Sequence, residues 1–200
     1  MALCEKCSSE IVAAEDVFYD HITEELYHGT LPDWQREPIE RLILEGERRE
    51  QSIERISYVL ATAHHETARF KYMEEIGGGT GHQYGEPCRL YRNETTVYYG
   101  RGFVQLTWLT NYAKMSVRLT RELGREIDLV TNPGAAAAPS IASPVIWEGM
   151  HSGLFTGKNL ADYINDDKVD YFNARRIVNG LDKAELIKTY AETFEEAFRI

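Results

Sequence analysis

Residues 53–70 decide the fold of this chain, and they read Ile53-Glu-Arg-Ile-Ser-Tyr-Val-Leu-Ala-Thr-Ala-His-His-Glu-Thr-Ala-Arg-Phe70. Their apolar side chains recur at the three- and four-residue spacing of one helix face, at Ile53, Ile56, Leu60 and Ala63. This spacing predicts a helix with one buried face that ends near Glu66. The dipole is negative at that end of a helix, so the ionised form of a carboxylate is disfavoured there.

The sequence that follows this helix is irregular. Residues 71–97 include the glycine-rich turn Gly77-Gly-Gly-Thr-Gly81, and a long irregular insert in a compact domain is usually functional. Residues 97–107 are rich in β-branched and aromatic side chains and predict a short β-ribbon. Helical patterns resume at Trp108 and continue to Phe198. We therefore expect a mainly α fold, with one small β-ribbon and a loop-rich insert that forms a cleft against the helices.

The negative charge is concentrated before this region. Residues 1–54 contain 14 acidic and 5 basic side chains, which leaves almost none of the net charge of −10 for residues 55–200. We expect a single domain, in which 1–54 is an acidic helical N-terminal section and 55–200 is the catalytic part. No basic stripe is present to neutralise phosphates, so nucleic acid is not expected as a partner.

Three cysteines and the apolar segments limit the classes of protein further. Cys4 and Cys7 form a Cys-x-x-Cys, but a zinc site would need a second pair and only Cys88 remains. Their role is left open, and no cofactor is expected. No segment has the length of a membrane span, and residues 1–10 lack the pattern of a secretory signal. A cytoplasmic protein without stable membrane insertion is the expectation.

Two carboxylates that flank a cleft are the minimum for cleaving a glycosidic bond, because one donates a proton and the other activates water or stabilises positive charge. Glu66 fits the proton donor, and either Glu74 or Glu75 fits the second role. The run His64-His65-Glu66 also suggests a metal site. The metalloprotease pattern, however, needs a histidine at position 69, where this chain has Arg69. No metal is therefore expected.

Three motifs resemble glycoside hydrolase family 19, the class I chitinase-like family that also contains bacteriophage endolysins. Residues 61–70 are similar to its catalytic helix. The stretch Tyr98-Tyr-Gly-Arg-Gly-Phe-Val-Gln-Leu-Thr-Trp-Leu-Thr-Asn-Tyr112 resembles its Tyr-Tyr-Gly-Arg-Gly-Pro-Ile-Gln-Leu-Ser signature, with Phe103 in place of the usual proline. Ala174-Arg-Arg-Ile-Val-Asn-Gly180 resembles its late Ile-Asn-Gly element. The motifs occur in family order across residues 61–180.

The resemblance implies a lysozyme-like α+β fold and an inverting mechanism. It makes Glu66 the general acid and Glu75, nine positions later, the base that activates water. It also implies that Thr107, where the family has serine, helps to hold that water. The residues at substrate-binding positions of the motifs are Gln105, Asn111 and Asn179.

Other side chains near the motifs are expected to assist. Tyr99 and Trp108 are candidates for stacking on sugar rings, although aromatic residues in a ribbon are equally often part of a core. His65 and Arg101 are expected to support the site, with Arg101 bracing Glu66. Arg175 and its neighbour Arg176 lie on a predicted helix, where one is expected to be buried in an ion pair.

Family 19 enzymes act on chitin or on peptidoglycan, and the catalytic residues do not distinguish the two. The absence of disulfides and of a signal favours a phage or prophage endolysin, a monomer that stays in the cytoplasm until a holin releases it to the peptidoglycan. The alternatives are a chitinase and a non-catalytic glycan-binding protein that retains the fold. The host is left open.

Overall fold

The computed structural model describes residues 5–90 and 94–200, with side chains from Asp16 onward within those ranges. The predictions for Cys4 and Cys7 fall outside the described side chains. The helices in these ranges are α1 (Glu5–Tyr27), α2 (Asp33–Arg48), α3 (Ile53–Glu66), α4 (Leu109–Leu123), α5 (Pro139–Ser152), α6 (Tyr171–Ala174) and α7 (Ala184–Arg199).

Helix α3 is the central element of the fold and ends at Glu66, as the sequence predicts. Ser52 caps its first turn by accepting a hydrogen bond from the backbone N–H of Arg55. Every residue from Ile56 to His64 is buried, so the helix is enclosed on all sides rather than on one apolar face. It packs against α7, α2 and α5, and this packing fixes the position of its C-terminal end.

Gly46 in α2 allows α2 to approach its two neighbours closely. A Cβ atom at this position would lie 2.7 Å from the side chains of Ile56 in α3 and Trp147 in α5. The Trp147 indole also donates a hydrogen bond to the carbonyl oxygen of Leu42. Helices α2, α3 and α5 therefore meet at a point where only glycine fits.

The β-structure is small and lies elsewhere than predicted. Strands β1 (Cys88–Arg89) and β2 (Thr95–Thr96) pair antiparallel, as do β3 (Ile164–Asn165) and β4 (Lys168–Val169). The ribbon predicted at 97–107 is wrong, because that segment folds into turns in which Arg101 alone bridges to Glu74 and Leu106. The predicted class, mainly α with a minor β component, is confirmed.

The buried apolar residues form one connected core that extends from Phe18 in α1 to Ala197 in α7. Helix α1 packs on α7, and its side chains of Ile22 and Leu26 are buried. The division into an acidic section 1–54 and a catalytic part 55–200 stays a prediction. Within the described ranges, no helix combines the length and the apolar character needed to cross a membrane.

Candidate active site

A cleft of about 420 Å³ opens where the C-terminal end of α3 faces the loop insert. Its walls come from α3, the insert, the turns of residues 100–107 and the segment after α6. The residues that line it are Glu66, Glu75, Tyr84, Gly100, Val104, Gln105, Thr107, Val178 and Asn179. Five of the residues predicted for the site are thus brought together from segments more than 100 positions apart.

Glu66 is held in the cleft by a buried arginine. Its Oε1 atom accepts a hydrogen bond of 2.5 Å from Nη1 of Arg175. The Arg175 side chain is 3% exposed and that of Glu66 is 19% exposed. The same guanidinium donates from Nε to the carbonyl oxygen of Asp182. A hydrogen bond from a fixed, buried donor gives the carboxyl group of Glu66 one defined orientation.

Glu75 is held from the insert side of the cleft by two donors. The hydroxyl of Tyr84 donates to Oε1 at 2.9 Å, and the backbone N–H of Gly100 donates to Oε2 at 2.9 Å. Desolvation and the neighbouring Glu75 carboxylate raise the pKa of Tyr84 to about 12. Tyr84 therefore keeps its proton and stays a donor at neutral pH.

Glu74 is oriented differently from Glu75, although the two are adjacent in sequence. Its side chain is half exposed and is not part of the cleft lining. It accepts a hydrogen bond from the Tyr99 hydroxyl and lies 3.8 Å from Nε of Arg101. Of the two candidates for the second carboxylate, Glu75 is the one that shares a cleft with Glu66.

Arg101 does not brace Glu66, and that prediction is wrong. Its guanidinium lies 3.6 Å from the centre of the Tyr99 ring and donates from Nη1 to Val97 O and to the hydroxyl of Tyr112. Arg101 therefore fixes the turn that carries Gly100. The bracing position belongs to Arg175, the member of the predicted arginine pair that is buried.

The turns of residues 100–107 bring Gln105 and Thr107 into the cleft. A Cβ atom on Gly100 would lie 2.8 Å from Oε1 of Gln105 and 3.3 Å from Oε2 of Glu75. Gln105 itself adopts a φ of 52°, and its amide donates to the carbonyl oxygen of Gly102. A side chain at position 100 would therefore crowd both Gln105 and Glu75.

Four further residues predicted for the site lie outside the lining of the cleft: Asn111, Tyr99, Trp108 and His65. Trp108 is 44% exposed and its ring lies against that of Tyr84, at 5.6 Å between centres, so it borders the cleft. The Tyr99 hydroxyl donates to Glu74, and the Tyr99 ring packs against the guanidinium of Arg101. His65 is half-buried, and this burial lowers its pKa.

The chain leaves α3 through an unusual left-handed turn. Ala68, Arg69 and Phe70 have φ angles of 50°, 65° and 63°, a region that residues with a side chain rarely adopt. The buried side chain of Gln35 donates to the carbonyl oxygen of Arg69, and Thr67 Oγ1 accepts from the backbone N–H of Phe70. These contacts hold the reversal that carries the chain from Glu66 towards Glu75.

His64 belongs to the core and not to the cleft. It is 2% exposed, its Nδ1 atom lies 3.1 Å from the hydroxyl of Tyr27, and its ring packs against Tyr190 and Phe194. Burial lowers the pKa of His64 from 6.5 to about 3. The side chain is therefore neutral at physiological pH.

The site is thus a pair of separately held carboxylates in one cleft of a helical α+β domain. This is the arrangement that cleavage of a glycosidic bond requires. The crystal structure of a family GH19, class IV chitinase from Zea mays matches this fold with a TM-score of 0.55 at 16% sequence identity. The match covers 92% of this chain and 94% of that chain. The chain thus has the lysozyme-like α+β fold of that chitinase.

Two endochitinases of Arabidopsis thaliana resemble the chain in sequence. One is 37% identical over 89 residues, which cover 40% of this chain and 31% of the relative. The other is 35% identical over 88 residues, which cover 44% of this chain and 28% of the relative. The match therefore spans about three tenths of the length of these curated relatives. No protein-family model matches the sequence.

Proposed function

We propose that this protein is a glycoside hydrolase of family 19 that cleaves a β-1,4-linked polymer of N-acetylglucosamine. The observation that carries the proposal is the pairing of Glu66 and Glu75 across one cleft, each held by its own donors. Hydrolysis of a glycosidic bond needs such a pair. The sequence likeness to endochitinases supports chitin as the polymer.

In the proposed mechanism, Glu66 donates its proton to the oxygen of the leaving sugar. Glu75 accepts a proton from a water molecule that attacks the anomeric carbon on the opposite face, so the configuration is inverted. Thr107 helps to hold this water by its hydroxyl group. Gln105 and Asn179 bind the sugar within the cleft, and Trp108 contacts it at the border of the cleft.

The test is hydrolysis of soluble chitin oligomers, measured as released reducing ends. Glu66→Gln and Glu75→Gln are each expected to lower kcat at least about 100-fold, which is the usual contribution of a general acid or base. Glu74→Gln is the matched control and is expected to retain activity within about tenfold. Wild-type activity in Glu66→Gln would overturn the mechanism. Proton NMR of the first product anomer tests inversion.

Peptidoglycan is the second candidate substrate. The observation that favours it is Cys88, which forms no disulfide with any residue that the structure describes, since free thiols are typical of a reducing compartment, where an endolysin waits. In this version a monomer stays in the cytoplasm until a holin releases it. Faster hydrolysis of purified peptidoglycan than of chitin oligomers would favour this candidate. Tight binding of either polymer without turnover would instead indicate a non-catalytic glycan-binding protein.

A further inference from the structure

A second cavity, separate from the cleft, lies between α2, α4 and α5. It is a groove of about 480 Å³, a volume typical of small-molecule sites. The residues that line this groove are Arg48, Arg49, Gln51, Arg118, Arg121, Glu122, Trp147, Glu148 and His151. We propose that the arginine groove binds an anionic ligand that carries a carboxylate or phosphate group.

The arginine groove and the cleft are at opposite ends of α3. Gln51, which lines the groove, directly precedes the Ser52 cap of this helix, whereas Glu66 is its last residue. Fourteen helical residues at 1.5 Å each separate the two ends by about 20 Å. A ligand in the groove therefore does not touch the carboxylates of the cleft.

The charges of the groove are opposite in sign to those of the whole chain. Four arginines and two glutamates line it, in a protein whose net charge is −10. The planar guanidinium presents parallel N–H donors that match the two oxygens of a carboxylate or phosphate. The side chains of this groove therefore suit an anion better than a neutral ligand.

The glutamates hold the arginines in place while leaving donors unused. Arg49, whose side chain is 14% exposed, donates to Glu45 at 2.8 Å and to Glu122 at 2.5 Å. Arg118 donates to Glu148 from Nη1 alone, at 2.6 Å. Guanidinium groups that are fixed before the ligand arrives lose little freedom on binding it.

Arg121 is the residue that distinguishes a ligand site from a set of ion pairs that only joins the helices. The ion pairs of Arg49 with Glu122 join α2 to α4, and those of Arg118 with Glu148 join α4 to α5, so these arginines have a role without any ligand. Arg121 lines the same groove, but its exposed side chain makes no hydrogen bond or ion pair with any residue in the described ranges. A network that only fastened the helices would not need this fourth arginine.

The experiment is isothermal titration of the full chain at constant ionic strength with three probes. These are inorganic phosphate, acetyl-alanyl-alanine with a free carboxylate, and the same dipeptide as its C-terminal amide. Saturable binding of phosphate or of the acid, but not of the amide, is expected, and the tighter of the two identifies the anionic group. The proposal is overturned if no probe saturates or if the amide binds as well as the acid.

Two exposed arginines on the same segment make a matched pair for this titration. Arg121→Gln is expected to weaken anion binding about tenfold, the effect of losing one charged hydrogen bond. Arg125→Gln removes the same charge four positions later, outside the groove, and is expected to leave binding unchanged. Equal loss in both variants would show a nonspecific charge effect and overturn the proposal. Glu66→Gln is expected to bind the anion like the wild type, which makes this test independent of the proposed hydrolase activity.

Discussion

At the scale of single residues, Tyr84 is the side chain through which the insert acts on Glu75. Tyr84→Phe removes the hydroxyl that donates to Oε1 and leaves Gly100 as the remaining donor. A hydrogen bond to a charged group contributes about 1.5–3 kcal/mol, so we expect kcat on chitin oligomers to fall at least about tenfold. KM is expected to change little, because the ring remains in the wall of the cleft.

The control for this substitution is Tyr72→Phe. Tyr72 is 39% exposed, and its side chain does not line the cleft. The activity of the Tyr72→Phe variant on chitin oligomers is expected to equal that of the wild type. Steady-state kinetics of both variants measure the difference, and an unchanged kcat in Tyr84→Phe would mean that Gly100 alone holds Glu75 adequately.

His64 makes the free energy of unfolding depend on pH. Its pKa is about 3 in the folded protein and 6.5 in the unfolded chain, because burial opposes the charged form. Between these values only the unfolded state binds the proton, so His64 lowers stability by up to about 1.4 kcal/mol per pH unit as the pH falls from 6.5 towards 3. Above pH 6.5 the effect of this group is absent.

The variant His64→Gln tests this dependence, because glutamine does not titrate and can still accept from Tyr27. Urea unfolding at several pH values is expected to give a shallower decline for His64→Gln than for the wild type. His151→Gln, an exposed histidine, is the control and should retain the wild-type slope. A parallel decline in all three proteins would contradict the assignment.

At the scale of elements, the turn after α3 holds non-glycine residues at positive φ angles, a conformation that they rarely adopt. Ala68 is exposed at a φ of 50°, a conformation that costs a non-glycine residue roughly 1–2 kcal/mol. Ala68→Gly removes this cost but adds about 0.5–1 kcal/mol of backbone entropy loss on folding. We expect a net stabilisation of roughly 0.5–1 kcal/mol in urea unfolding.

The matched control is Ala113→Gly in α4, where the backbone is helical. The same change there is expected to destabilise the protein by about 1 kcal/mol. The two substitutions should therefore have opposite signs. If Ala68→Gly also destabilises the protein, the turn is not strained in solution.

The same region shows which elements could be predicted from sequence. Helix α3 depends on a local apolar repeat, so its existence and its end near Glu66 could be predicted from the sequence. The predicted ribbon failed because β-branched and aromatic residues indicate a strand only where the backbone can extend. Gly102 and Gln105 take positive φ angles, which fold that segment into turns.

The contacts of the candidate site depend on long-range packing, and sequence spacing does not reveal them. Arg175 reaches Glu66 across 109 positions, while the nearer Arg101 turns to Tyr99 instead. Glu74 and Glu75 are chemically identical neighbours, and only the orientation of the chain beside Gly100 separates them. Tyr84 lies in the irregular insert, where no pattern in the sequence indicates that it donates to Glu75. The motifs thus predicted the residues of the cleft better than the partners that hold them.

At the scale of the whole molecule, the acidic helices α1 and α2 share the core with the helices that carry the cleft. Phe18, Ile22 and Leu26 of α1 are buried in the same cluster as Phe194 of α7. Helix α7 packs most extensively on α3, which ends at Glu66. Because α1 shares this core with the helices that carry the cleft, residues 1–54 and 55–200 are expected to unfold together.

Ile22→Ala tests this coupling. Ile22 is fully buried, so its truncation is expected to destabilise the protein by about 2–4 kcal/mol. Val17, five positions earlier in α1, is 41% exposed, and Val17→Ala is the matched control with an expected effect within about 0.5 kcal/mol. Urea unfolding followed by both far-UV circular dichroism and loss of hydrolysis should give coincident transitions, shifted together in Ile22→Ala. Two separate transitions, with hydrolysis lost only at the wild-type midpoint, would show instead that the acidic section is an independent unit.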